Sequence, residues 1–277
     1  MVFYCVLAMA VLGGVGVCFA AGGFLSAAWL YLLPVSVAAC FLGALVLAVV
    51  FFALCCAVVD VKKPVEKDSP FYRALAHGYI DLIIRLFRIR METEGADRLP
   101  KAGRFMLVCN HLSQADPALL LWRFRKAQLA FISKQENYNK PLIAQVMHKL
   151  YCQSLRREND REALKTILKC VDQLKQDQVN VAAFPEGYTS KDGKLHNFRH
   201  GVFKVAQKAG VPIVVCTLRG SDRVFSNMLR LKPSHVKLHV VGVIAPEAWK
   251  GATAVQIGVN AHSMMAADLG KDLVAED

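Results

Sequence analysis

From Met1 to Val59 the chain contains no Asp, Glu, Lys or Arg, and Asp60 is its first charged residue. A helix needs about 20 apolar residues to cross roughly 30 Å of hydrocarbon, so this run has room for two spans. Pro34 lacks an amide donor and restricts the residue before it, which puts the expected break near Leu33-Pro34 and the second span at 35–59. Gly13, Gly14, Gly16, Gly22 and Gly23 fall in the first segment, where small residues let helix backbones approach closely in lipid or let the path bend. A cleaved secretory leader fits less well, because the run has no basic start and greatly exceeds an ordinary leader core. Lys62, Lys63, Lys67 and Arg73 come soon after it, and by the positive-inside tendency they place the rest of the chain on the cytoplasmic side. With two spans the amino terminus is cytoplasmic too, and the protein is expected to be integral to the cell membrane.

The formal net charge of +12 therefore belongs entirely to the residues after the apolar run. A basic surface can meet nucleic acid, an anionic membrane or an acidic substrate. With a membrane anchor the latter two are favoured, and no helix-turn-helix, zinc-finger or RNA-recognition signature argues for nucleic acid. The nine cysteines are scattered without a Cys-x-x-Cys pair, as expected of small apolar residues in a reducing compartment rather than of metal ligands.

Between Pro70 and Arg90, Phe71, Leu75, Tyr79, Leu82, Ile83 and Leu86 recur at three- and four-residue steps, with Arg73, His77, Asp81, Arg85 and Arg88 on another face. This predicts an amphipathic helix, suited either to a membrane boundary or to packing on the next domain. After Gly95 short apolar runs at 105–109, 129–132, 179–184, 211–218 and 236–244 read as strands. Helical patterns occupy 117–126, 141–150, 160–176, 201–209 and 252–269. Alternation of this kind predicts an α/β domain with a largely parallel sheet flanked by helices, preceded by a transmembrane helical hairpin. The chain thus divides into an anchor at 1–59, a basic linker with an interfacial helix at 60–95, and a catalytic domain at 96–277.

In such folds chemistry gathers in loops beyond the carboxyl ends of strands, and two loops stand out. In Asn110-His111-Leu112-Ser113-Gln114-Ala115-Asp116-Pro117 a carboxylate can orient an imidazole, whose other nitrogen is then free to take a proton. Asp116-Pro117 is equally a good helix start, and the spacing alone is weakly specific. In Phe184-Pro185-Glu186-Gly187-Tyr188-Thr189-Ser190, Gly187 permits a tight turn whose amides can face an anion.

In this order the two loops resemble the 1-acylglycerol-3-phosphate acyltransferase family of glycerolipid acyltransferases. Its first block, Asn-His-x-x-x-x-Asp, is matched by Asn110, His111 and Asp116. Its second ends in an Arg, as does Ser154-Leu155-Arg156-Arg157, where Arg157 takes that place. Its third, Phe-Pro-Glu-Gly-Thr-Arg-Ser, is matched by Phe184, Pro185, Glu186, Gly187 and Ser190, and its fourth by Val211-Pro212-Ile213-Val214-Val215. Lys134, Pro141 and the 194–201 stretch extend a resemblance that covers 104–218.

The resemblance implies acyl transfer from acyl-CoA or acyl-carrier protein to a lysophospholipid hydroxyl, and the sequence carries no sign of a metal or nucleotide cofactor. It implies His111, oriented by Asp116, as the base. Glu186 and Gly187 would then shape the acceptor pocket, amides around Gly187 would face the oxyanion, and Arg157 would meet the anionic headgroup. One departure matters: Tyr188-Thr189 replaces the family's Thr-Arg, and a Thr189 hydroxyl cannot supply a guanidinium's charge. Arg157, Lys134, Lys191 or Arg199 is then expected to compensate, or the acceptor is a different lysolipid. A hydrolase using the same pair, and an inactive lipid-binding membrane protein, are the competing readings; no Gly-x-Ser-x-Gly elbow supports a serine hydrolase.

Overall fold

The computed structural model describes residues 1–156 and 159–275. It opens with two antiparallel helices, α1 (Val2–Ala20) and α2 (Trp29–Ala57), both long and apolar enough to cross a membrane. The break lies at 21–28 rather than at Pro34. There Gly22 takes a left-handed conformation (φ 65°) and a 3₁₀ turn at Gly23–Leu25 redirects the chain. Pro34 sits inside α2, as prolines do in apolar helices whose neighbours re-satisfy the freed backbone groups. The two helices touch where Gly14 has no side chain, since a Cβ there would lie 2.5 Å from Val37. The Ser36 hydroxyl donates across the same crossing to the Gly14 carbonyl at 2.8 Å.

Helix α3 (Pro70–Leu86) is capped by Ser69 and has Pro70 in its first turn. It stops short of the predicted 70–90 because Arg88 turns the chain with φ 53°. Residues Ile89–Glu94 then form strand β1, inside the stretch that the sequence pattern assigns to the linker. Its Ile-Arg-Met-Glu-Thr-Glu run alternates buried and more exposed positions, as an edge strand does. One face of α3 buries Leu75, Ala76, Leu82 and Ile84. The helix also packs on the hairpin, with the Tyr72 and Tyr79 hydroxyls donating to the carbonyls of Cys55 (2.7 Å) and Ala48 (2.6 Å). Phe71, Ile83 and Leu86 stay exposed.

The domain is α/β, as predicted. Beyond β1 its strands are β2 (Met106–Cys109), β3 (Leu129–Lys134), β4 (Gln153–Leu155), β5 (Asn180–Ala183), β6 (Ile213–Arg219) and β7 (Ser234–Ile244). Among the described residues they form a seven-stranded sheet in the order β1-β7-β6-β2-β5-β3-β4. Its pairings are parallel, except that β6 and β7 run antiparallel. The helices that cover it are α4 (Asp116–Arg123), α5 (Ile143–Lys149), α6 (Asp160–Lys175), α7 (Lys204–Ala209), α8 (Val224–Leu229) and α9 (Ala254–Leu269). Strand β4 and helix α8 are absent from the sequence-based expectation, being too short to carry a period.

Alternate residues of each central strand feed two cores. Leu107, Val214 and Ala182 face Leu120 and Leu121 of α4 and Ile84 of α3. Met106, Val108, Val181 and Val215 face Leu174 of α6, Val205 of α7 and Met265 of α9. Burial on both faces explains why these strands read as continuous apolar runs. The carboxyl ends of β2, β5 and β6 lie together, and the loops that leave that edge hold the site.

Candidate active site

His111 leaves β2 two residues after Cys109 and faces the start of α4. Its Nδ1 lies 2.9 Å from Oδ2 of Asp116, a carboxylate with no solvent exposure. The same oxygen accepts the amides of Leu112 (2.7 Å) and Ser113 (2.8 Å), so the carboxylate folds the loop as well as orienting the ring. Facing the carboxylate, Nδ1 carries the proton and Nε2 is left as the acceptor nitrogen. The sequence pattern offers Asp116 as N-cap of the helix or as partner of His111; it is the partner, and it stands as the first residue of α4 with Ala115 in the cap position. Asn110 points the other way, its side-chain amide clipping β6 through Leu218 N (2.7 Å) and Leu218 O (3.0 Å).

The second loop arrives from β5 and closes over the imidazole. Phe184 stacks on the His111 ring with centroids 4.1 Å apart, and Phe131 stacks behind it at 5.8 Å. Glu186 is 1% exposed and points inward, where Oε1 accepts the His111 amide (2.8 Å) and Oε2 the His196 amide (3.1 Å). Burial pushes its carboxyl up to about 7, against the lowering effect of those two amides. Glu186 thus braces the loop that carries His111. Gly187 turns the chain with φ 82°, and its amide donates to Phe184 O at 3.0 Å. The Ser190 amide likewise donates to His111 O at 2.8 Å, so neither is an open donor for an oxyanion.

Its position in the third block puts Thr189 at the headgroup. Instead its Oγ1 lies 3.1 Å from His111 Nε2, the nitrogen left to accept a proton. Lys134 ends β3 and is exposed at the same sheet edge, because β3 runs parallel to β5. Lys191 and Arg199 are exposed, the latter with its amide on Pro185 O (2.8 Å). Arg157 lies outside the described residues. Asp192 is held well below the usual carboxylate range by the His196 ring, the Lys194 amide and the Ser190 hydroxyl. Among the described residues no group of three or more His, Cys, Asp or Glu is arranged to hold a metal ion.

A cleft of about 540 Å³ opens at the loop that carries His111, lined by its two chain neighbours Asn110 and Leu112 and by Asp192, Arg219, Arg223 and His235 among others. Nothing in the sequence marks Phe184 as a stacking partner or Arg219 and Arg223 as cleft residues. Phe184 lies within a recognised block, whereas the arginines come to the cleft at the His111 loop only through the β2–β6 pairing.

Residues 90–219, which hold both loops, match the acyltransferase family model. Over these residues the chain is similar to the acyltransferase family. Chloroplastic 1-acyl-sn-glycerol-3-phosphate acyltransferase LPAT1 of Arabidopsis thaliana is 34% identical over 158 residues, 55% of this chain and 44% of that protein. A Chlamydomonas reinhardtii protein of the same enzyme name is 32% identical over 183 residues, 65% of this chain and 53% of its own. The chain spans about half the length of the curated relatives it matches. The crystal structure of the 1-acyl-sn-glycerophosphate acyltransferase PlsC from Thermotoga maritima shares the fold, with a TM-score of 0.57 and 22% identity over 74% of this chain and 83% of that one.

Proposed function

We propose that this protein moves a fatty acyl group from a thioester, acyl-CoA or acyl-carrier protein, to the free hydroxyl of 1-acylglycerol-3-phosphate, giving phosphatidate. The observation that carries the reading is the 2.9 Å pairing of His111 with Asp116 inside the residues that match the acyltransferase family model. The enzyme names of the curated relatives supply the acceptor. His111 Nε2 takes the acceptor's hydroxyl proton as its oxygen attacks the thioester carbonyl. The tetrahedral intermediate then collapses, the carbon–sulfur bond breaks, and the leaving thiolate takes the proton back from the imidazolium. Asp116 stabilises the charged ring between those two transfers. The acceptor hydroxyl must come to the position now held by Thr189 Oγ1, which therefore has to yield or share the nitrogen.

The helical hairpin, in this reading, embeds the enzyme in a membrane from which the lysolipid is drawn, with the domain and the amino terminus on the cytoplasmic side. Purified full-length protein supplied with labelled acyl-CoA or acyl-carrier protein and a panel of lysolipids tests the assignment. Labelled phosphatidate is the expected product; release of free fatty acid alone would make the protein a hydrolase, and absence of both would leave a lipid-binding protein. General-base catalysis is worth about 10²- to 10⁴-fold, so His111→Ala should lose at least two orders of magnitude in kcat with its melting temperature nearly unchanged. Turnover above a few per cent of the parent would remove His111 from the mechanism.

A further inference from the structure

In the connection between β6 and β7, the segment from α8 to β7 projects side chains that a water-facing loop has no reason to hold. Leu229 is 88% exposed, Leu231 72% and Phe225 48%, and Arg223, Arg230 and Lys232 stand exposed among them. The backbone beneath them is firmly bonded rather than loose. The Arg230 amide donates to Asn227 O (3.1 Å), that of Leu231 to Met228 O (3.1 Å) and that of Lys232 to Asn227 O (2.8 Å). Leu231 is itself left-handed (φ 52°), a conformation that costs a leucine energy and here turns its side chain outward. The Arg88 guanidinium, at the end of α3, donates to the Leu231 carbonyl and ties this knuckle to the turn before β1.

That tie fixes where the knuckle sits relative to the hairpin. Because Tyr72 meets Cys55 while Tyr79 meets Ala48, α2 runs antiparallel to α3, and its earlier residues extend past the end of α3 where Arg88 lies. In the other helix of the hairpin, Val2 packs at Gly78 and the Arg85 guanidinium lies over the rings of Phe3 and Tyr4 (5.7 and 5.1 Å), so α1 leaves in the same direction. The knuckle therefore flanks the hairpin's exit, and with Ile83 and Leu86 it continues the apolar surface there. Asn227 and Arg223 of the same segment line the cleft whose other wall includes Asn110 and Leu112, the chain neighbours of His111.

We propose that Phe225, Leu229 and Leu231 dip into the bilayer as a second, shallow membrane contact, with Arg223, Arg230 and Lys232 on anionic headgroups, and that this contact seals the mouth of the cleft against the lipid surface. Apolar tips interleaved with cations match an anionic bilayer in both chemistry and charge. The contact extends the reading of the hairpin as a membrane anchor and rests on it. Its function is delivery: a lysolipid can reach His111 from the membrane plane without its acyl chain crossing water.

The test uses the full chain in vesicles of phosphatidylcholine and phosphatidylglycerol with brominated acyl chains, which quench tryptophan inside the hydrocarbon. The chain has three tryptophans, so with Trp122 and Trp249 replaced by Phe in the parent, Trp29 near the hairpin tip serves as the reporter of the anchor. In Leu229→Trp the added emission should be quenched by brominated lipid and shielded from aqueous iodide. Parent emission quenched but the added emission reached only by iodide overturns the knuckle and leaves the anchor standing. No lipid quenching in the parent overturns the anchor, and the proposal with it. In the same vesicles, the double variant Leu229→Asp/Leu231→Asp should lose about tenfold in rate on a bilayer-held acceptor while keeping its rate on a short-chain acceptor dissolved as monomer. Equal rates on both would also overturn the proposal.

Discussion

Thr189 touches Nε2 of His111, the nitrogen that takes the proton in the proposed reaction, and that contact changes what an arginine in its place would do. A guanidinium there would grip an acceptor phosphate but would also sit against the ring that must become positively charged as it takes the proton. Thr189→Arg is therefore expected to lower KM for 1-acylglycerol-3-phosphate and to lower kcat at the same time, with no gain in KM for a lysolipid without a terminal phosphate. Steady-state kinetics on both acceptors separate the two effects, and a kcat that rose would show that Thr189 stands clear of the proton path. Glu186 carries a different signature. Its carboxyl titrates near 7 when folded against an ordinary 4.5, so the folded state binds the proton more tightly. The stability this supplies is complete below pH 4.5 and is lost as pH rises through 7. Glu186→Gln cannot titrate, and its melting temperature should fall less between about pH 5 and 8 than that of the parent. Parallel pH profiles would contradict the assigned burial of that carboxyl. The His111 and Asp116 pairing is legible in the sequence because five positions within one loop bring the groups together. The inward turn of Glu186 and the reach of Thr189 are not, since both depend on how the β5 loop lies across the β2 loop.

Among elements, the hairpin departs furthest from what its sequence implies. Pro34 is the strongest local breaker, yet the turn falls at Gly22, because cross-helix contact at Gly14 and Ser36 keeps the proline within packed helix. At 1.5 Å per residue α1 is about 28 Å long, and the part of α2 ahead of its contact with α3 is of similar length, each close to the hydrocarbon thickness. Exposed Leu25 then marks the far end of the hairpin. With native cysteines replaced, Leu25→Cys should react with a membrane-impermeant thiol reagent applied outside intact cells, whereas Lys67→Cys should not. Labelling of neither would point to a hairpin that enters and leaves on one side. Gly14→Leu should separate the helices, seen as a lower melting temperature in detergent, since its side chain would meet the Val37 backbone. The long helices and buried strands are legible from period and apolar runs. Strands β1 and β4 and helix α8 are not, because charged alternation at a sheet edge and elements of three to six residues leave little pattern to read.

For the whole molecule, the two kinds of membrane attachment respond differently to salt. About 1 M salt shortens the Debye length to roughly 3 Å and strips proteins held by surface charge, whereas hydrocarbon burial is indifferent to it. Despite its +12 charge, the full chain should stay with membranes through a high-salt wash and leave them only with detergent, as sedimentation would show. Release by salt alone would mean that the apolar helices are not in the bilayer.

The reversed pairing in the sheet, β7 against β6, has a geometric consequence of its own. Because β7 begins where β6 ends, and β1 runs alongside β7 from Ile89 opposite Ser234, the chain enters the sheet at the same rim from which His111 and Thr189 emerge. Had β7 run with its neighbour, β1 would begin at the far rim, and α3 with the hairpin ahead of it would leave from the back of the domain. One strand's direction thus sets the compass of the molecule: the apolar hairpin and the His111 loop share a pole, so in the proposed reaction the depth at which the hairpin rides would set how close the imidazole comes to a lipid acceptor.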